Sequence, residues 1–364
     1  MSSKLSSLYF HPKNDMNPRV LIVGGGLSGI CLAHQLEKMG IDFLMIDQGK
    51  NESSAIAAGM INPMVFRKMV KTWRGDELVP YLNSFYAQIE KKTGQRFFFP
   101  RKIRRVFSTE DEHRYWEERL KDSDYDNYIH DFKDANPVPD YVINKYGNGW
   151  VKSPGYIDAK RFMKANHDYF QGNEKLKLEN FDYQSFDPER KSYKGELFTH
   201  VVFAEGYRGK FNPYFNYLPL QQTKGEVLTV ASDDLKRDEI LNRKCFILPI
   251  ENGDFKLGAT FSWDKTDTKP TDEAREELLG QYKQLSTARL TILEQEGGIR
   301  PTVVDRRPLI GEHPEYEGLF IFNGMGTKGY MLAPYFSEHL LLHALYSEKL
   351  DDEVNIQRFY KKYF

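Results

Sequence analysis

Residues 19–47 read RVLIVGGGLSGICLAHQLEKMGIDFLMID, and this stretch decides the fold. Arg19 to Val23 is a short apolar run of the buried-strand type. It breaks at Gly24-Gly25-Gly26, and a helix is expected from about Leu27 to Met39, with Ile30, Ala33 and Leu36 on one face. Gly40 is placed to end that helix. A second apolar run, Phe43 to Ile46, stops at Asp47, completing a β-α-β unit. Gly24, Gly26 and Gly29 match G-x-G-x-x-G: the first for a tight turn, the second for close approach of a pyrophosphate, the third for helix–strand packing. Free N–H groups at the helix start face phosphate charge. Asp47 stands where a carboxylate can accept ribose hydroxyls and repel a 2′-phosphate. The alternative is a tight strand–helix turn with no ligand.

Working outward, the chain does not continue with the regular βα units of a nicotinamide dehydrogenase. It runs instead into SSAIAAGMINP (residues 53–63), whose small residues can lie against a flat ring system. Helices are expected over about 77–93, 109–125, 156–169, 272–288 and 333–347, and buried strands at Val201–Ala204 and Leu319–Phe322. GEVLTV, CFILPI and FKLGATF make the middle rich in strands. A βαβ start, a β-rich middle and a strand–turn–helix ending imply an α/β (α+β overall) chain. Its Rossmann-like dinucleotide-binding domain is discontinuous (16–95, 150–212 and 293–364). An antiparallel, β-rich substrate domain takes 96–149 and 213–292. Residues 1–15 are expected to be a flexible leader, with Met16 an alternative start.

The 364 residues carry 51 basic and 52 acidic side chains, so no global field draws in nucleic acid or an anionic membrane. No run of 18 apolar residues or secretory segment is present, and the two cysteines, Cys31 and Cys245, make no metal-ligand pair. Buried free thiols, no metal and a cytoplasmic setting are expected.

GGGLSG, Asp47 and SSAIAAGMINP together resemble the FAD-dependent D-amino-acid-oxidase superfamily, which includes glycine, sarcosine and D-amino-acid oxidases. Later segments agree. Lys224-Gly225-Glu226-Val227-Leu228 is similar to the family's Arg-Gly-Gln strand, and Leu257 to Asp264 (LGATFSWD) to its G-A-T-x-E-x-D strand and turn. Gly298-Ile299-Arg300-Pro301, Asp305 to Gly311 (DRRPLIG) and Asn323 to Gly329 (NGMGTKG) with Ala333-Pro334 resemble the signatures of the family's ending. The resemblance implies non-covalent FAD, since Cys31 and Cys245 match neither position used for covalent flavin. It also implies hydride transfer from a C–H beside an amine nitrogen to flavin N5, giving an imine that hydrolyses. Oxygen or another acceptor would reoxidise the flavin.

The same resemblance implies a cofactor set: Gly24, Gly26, Leu27, Ser28, Gly29, Asp47, Gln48, Ala58, Gly59, Met60, Ala204, Gly206, Gly324, Gly326, Thr327, Lys328 and Gly329. Arg300 matches the arginine that holds a substrate carboxylate in relatives; a guanidinium fork suits that group. The alternative is an arginine tied to Asp305 or to a strand carbonyl. Lys256 matches a lysine that assists oxygen reduction, or is a solvated strand lysine. Lys328 can stabilise negative charge on a reduced ring or belong to a plain turn. Tyr156, Tyr330 and Trp73 are candidate pocket aromatics or core residues. Arg67, Lys68, Lys71 and Arg74 line an acidic-substrate mouth or a solvated loop.

The pattern departs from some glycine oxidases, which carry a second substrate arginine where Thr327 stands; Lys328 is adjacent. NGMGTKGYMLAP is also similar to the oxidase module of bifunctional tRNA wobble-uridine modification enzymes, so a tRNA nucleotide bearing an amine is an alternative substrate. A flavoprotein with a sensor role and no amine turnover is the alternative from another class.

Overall fold

The computed structural model describes residues 17–50, 52–130, 137–152, 155–263 and 266–363. The leader, Met16 and Asp264 lie outside the described residues. The chain divides into two compact units: 1–50, 167–221 and 301–364 form the first; 51–166 and 222–300 form the second.

The first unit is built on a six-stranded sheet ordered Leu176–Leu178, Asp42–Asp47, Arg19–Val23, His200–Phe203, Leu319–Asn323, Leu309–Glu312. All neighbours run parallel except the last pair, which is antiparallel. Val20, Leu21 and Ile22 are wholly buried, as expected of a central parallel strand covered on both faces. Each such side chain contributes roughly 1.5–3 kcal/mol on burial. The helix Leu27–Met39 closes with Gly40 in the left-handed region, where Gly40 N–H donates to Glu37 O and Ile41 N–H to Leu36 O. This is the Schellman arrangement that a glycine permits. That helix packs along Gly329–Tyr346, and Gln35 donates to Pro334 O. The final helix begins at Gly329, four residues before the expected start, because the 3₁₀ turn Gly326–Lys328 runs straight into it.

The second unit holds an eight-stranded sheet ordered Thr291–Val303, Leu220–Ala231, Phe255–Gly258, Phe246–Pro249, Glu239–Asn242, Lys102–Val106, Asn148–Val151, Ile129–His130. One internal pair, Glu239–Asn242 with Lys102–Val106, is parallel. A small sheet joins Met60–Ile61, Gly155–Ile157 and Phe98–Phe99. The helix Gly75–Thr93 packs through Tyr86 on Phe97 and Phe162, edge to face.

Residues 51–95 and 150–166, expected with the nucleotide-binding domain, cluster in the second unit. Their backbones explain this: Ile157 N–H donates to Gly59 O at 2.9 Å, Tyr156 pairs with Met60 and Phe99, and Ser53 Oγ donates to Ile299 O. The same pairing corrects the helix expected from Tyr156. Tyr156 lies in a strand, and the helix runs Ala159–Gly172, with Asp158 Oδ1 accepting Arg161 N–H. The charged helix expected over 272–288 ends at Tyr282, whose hydroxyl reaches Ala288 O at 2.7 Å.

Candidate functional site: a dinucleotide cradle and a cationic strand

The cradle belongs to the first unit. Gly24 has φ +108°, and its N–H donates to Ile46 O at 2.8 Å. A Cβ there would stand 2.5 Å from Ala204 O, and one on Gly29 only 1.9 Å from Gly24 O. Both glycines are therefore fixed by backbone on the far side, where nothing can yield. Gly26 caps the helix in extended conformation and makes no side-chain cap hydrogen bond. Asp47 is buried; Oδ2 accepts Gly25 N–H and Oδ1 accepts Gly49 N–H, each at 2.6 Å. A carboxylate accepts about four hydrogen bonds, so this anchoring is compatible with ribose recognition. An uncapped helix start, a glycine floor and a fixed carboxylate fit the ADP half of FAD.

Two further strand ends complete this unit's site, and both carry residues that sequence reasoning missed. Asn323 is buried; Nδ2 donates to Gly206 O and Oδ1 accepts Gly324 N–H, both at 2.8 Å. It ties the Ala204–Gly206 turn to the 324–329 turn. The signal available was an amide between a buried strand and a glycine at φ +74°. Glu205 accepts from Asn212 Nδ2 at 2.7 Å and from the Tyr183 hydroxyl at 2.5 Å. Burial pushes its carboxyl up, against the two donors. Gln48 accepts from Arg208, a further residue that spacing could not reveal. Lys328 is drawn down to about 8 by burial; Thr327 beside it is exposed and Tyr330 is buried in the first helical turn. Leu27 packs under Gly329, and Ser28 is half-buried.

The second unit carries the other candidates. Gly59 has φ +69°, and a Cβ on it would meet Ile157 O at 1.8 Å; Ala58 and Met60 flank it, half-buried. Lys256 is not a solvated strand lysine. It is 7 % exposed, with Nζ 3.4 Å from Ile56 O, and burial lowers its pKa against the pull of Glu296. Arg300 is not paired with Asp305, which binds Arg358 at 2.8 Å. Its Nη1 donates to Thr260 O at 3.2 Å and Lys224 O at 3.4 Å, and its guanidinium packs against Gly225. Nε and Nη2 have no hydrogen-bond partner among the described residues. Burial lowers the Arg300 pKa to about 10, which keeps it cationic at neutral pH.

Tyr156 is corrected from pocket to core: it has no accessible surface, and its ring packs 5.6 Å from Phe99. The cluster after Pro63 is split in role. Lys71 pairs with Asp76, and Arg74 lies over Trp73, while Arg67 and Lys68 are exposed. Cys31 and Cys245 are buried free thiols. Among the described residues no three His, Cys, Asp or Glu side chains are grouped to hold a metal, and no helix is long and apolar enough to cross a membrane.

A match to the family described as FAD dependent oxidoreductase (DAO) covers residues 19–341. The chain belongs to the DAO family of FAD-dependent oxidoreductases. FAD is its cofactor. Over 345 residues the chain is 25 % identical to the tRNA 5-methylaminomethyl-2-thiouridine biosynthesis bifunctional protein MnmC of Idiomarina loihiensis. That match takes 88 % of this chain and 54 % of the relative, so the chain spans about half that protein's length. It is 23 % identical over 347 residues to the glycine oxidase of Pseudomonas aeruginosa, covering 88 % of this chain and 92 % of that one. In fold it is similar to L-proline dehydrogenase from P. horikoshii, with TM-score 0.79, 17 % identity, and coverage of 95 % and 98 %.

Proposed function

We propose that this oxidoreductase oxidises the C–N bond of an amino acid or secondary amine whose anionic group is held by Arg300, releasing an imine that hydrolyses. The observation that carries the reading is Arg300 itself: a fixed cation, pinned through Nη1, whose Nε and Nη2 have no hydrogen-bond partner among the described residues. Two such N–H groups suit a carboxylate through parallel charge-assisted bonds. Non-covalently bound FAD supplies the hydride acceptor. Lys256, low in pKa and buried, is placed in this reading to steady negative charge during reoxidation, and Lys328 to favour negative charge on the ring edge. The amine must be neutral to lose hydride, so substrate deprotonation contributes to the pH dependence.

The test is anaerobic mixing of the holoenzyme with glycine, sarcosine, proline and D-amino acids, following loss of the oxidised-flavin spectrum. Arg300→Lys keeps the charge but loses the fork, and is expected to raise the concentration needed for half-maximal reduction about tenfold or more. Reduction by amines that lack an acidic group, unaffected by Arg300→Lys, would refute the assignment. A second reading, an amine carried on a tRNA nucleotide, is supported by the alignment with the tRNA-modifying relative over 345 residues. Reduction by a modified tRNA and by none of the free amines would favour it.

A further inference from the structure

Two large aromatic side chains of the second unit stand in solvent: Phe261 is 49 % and Trp263 is 53 % exposed. Single exposed apolar residues need no explanation. These two form a pair, with ring centroids 5.1 Å apart and planes at 77°, the edge-to-face arrangement that aromatic rings prefer.

Strand register puts them there. Along the strands Leu220–Ala231 and Phe255–Gly258, Val227 lies opposite Gly258. Farther along, Lys224 lies opposite Ser262, with both N–H···O bonds at 2.9 Å. Three steps on one side therefore face four on the other, which is a β-bulge, a device that re-aims side chains beside active sites. Ser262 is fixed by its pairing, so Phe261 and Trp263, two residues apart, share the opposite side. Thr260 O, within the bulge, accepts from Arg300, and the Arg300 guanidinium carbon is 5.6 Å from the Phe261 ring centroid. A cation whose Nε and Nη2 have no hydrogen-bond partner among the described residues thus adjoins an exposed pair of rings.

We infer that Phe261 and Trp263 form a subsite for a planar, unsaturated ring carried by the ligand whose anion binds Arg300; this rests on the reading of Arg300 given above. A flat π-system is matched to the site because it can lie along one ring and meet the edge of the other. An aliphatic group of equal size lacks the π contact with either ring. The ring could be an aryl group of a small amine or a nucleobase, since both offer a π-face.

The test uses anions that cannot be oxidised at a C–N bond, with ether oxygen in place of the amine: benzyloxyacetate, (uracil-5-yl)methoxyacetate, cyclohexylmethoxyacetate and methoxyacetate. Each is titrated calorimetrically into the holoenzyme, the Phe261→Leu/Trp263→Leu double variant and Arg300→Gln, with the flavin spectrum and melting temperature checking the fold. One of the two planar ligands is expected to bind about 10-fold tighter than the cyclohexyl ligand. The double variant is expected to remove that preference and leave methoxyacetate affinity as it was. Which ring is preferred identifies the source. Equal affinities for planar and saturated rings, no binding of any ligand, or a preference that survives the double substitution would overturn the inference. If Arg300→Gln binds methoxyacetate as well as the parent does, the role given to Arg300 fails, a result read separately from the ring preference.

Discussion

Gly225→Ala is the substitution that most sharply probes Arg300 without touching it. A Cβ on residue 225 would lie 1.9 Å from Arg300 Nη2, 2.1 Å from Cζ and 2.3 Å from Nη1. Ordinary contact begins near 3.4 Å, so the guanidinium must retreat by about 1.5 Å. The obstructing atoms are the end of a flexible side chain, and Gly225 does not have positive φ. The fold should therefore tolerate the methyl group, and a strand alanine is favoured over glycine by roughly 0.5–1 kcal/mol. The guanidinium cannot: a shift of about 1 Å costs on the order of 100-fold in positioning, and a charge-assisted hydrogen bond is worth about 1.5–3 kcal/mol. The expected result is a melting temperature equal to or above the parent's, an unchanged flavin content, and a fall of about 10- to 100-fold in the second-order rate of flavin reduction by a carboxylate-bearing amine. The assay is anaerobic stopped-flow absorbance of the holoenzyme, with thermal unfolding in parallel. Unchanged reduction kinetics would refute the placement of the substrate anion on Arg300; a collapse in stability would refute the claim that Arg300 is the part that yields.

Gly29→Ala puts a Cβ 1.9 Å from a backbone oxygen that cannot move aside, so the purified protein should contain little or no FAD, measured as flavin absorbance per chain. Lys328, with pKa about 8, is cationic below that pH and neutral above it, so any step helped by its charge should weaken as pH rises through about 8. Lys328→Met should remove that limb from the pH profile of flavin reduction. Because the folded pKa lies below the unfolded value of 10.5, parent stability should also rise between about pH 8 and 10.5, and the variant should lose that rise in pH-dependent urea unfolding. Lys224 is buried, 3.4 Å from Glu226 and 3.1 Å from Asp267; Lys224→Met should destabilise the chain by about 3–5 kcal/mol, read from denaturant midpoints.

The local sequence determined the nucleotide-binding start completely: strand, glycine turn, helix and Asp47 are contiguous, and each is dictated by near-neighbour chemistry. Burial runs, the Gly40 cap and the glycine spacing all operate within about 30 residues, so periodicity and turn chemistry suffice. The domain boundaries were hidden because three of them fall inside regular elements: the helix Ala159–Gly172 and the strands Leu220–Ala231 and Thr291–Val303. No linker composition marks such a crossing. Tyr156 showed the apolar spacing of a helix, and only its pairing with Met60 and Phe99 made it a strand residue and closed it off from ligand. The environments of Arg300 and Lys256 were likewise beyond the sequence. Each depends on residues tens to hundreds of positions away: Thr260 and Lys224 for the arginine, Ile56 for the lysine. Sequence names the charged group; whether that group is solvated, neutralised or held with its hydrogens available is decided by long-range packing, because desolvation and hydrogen bonding act through space and not along the chain.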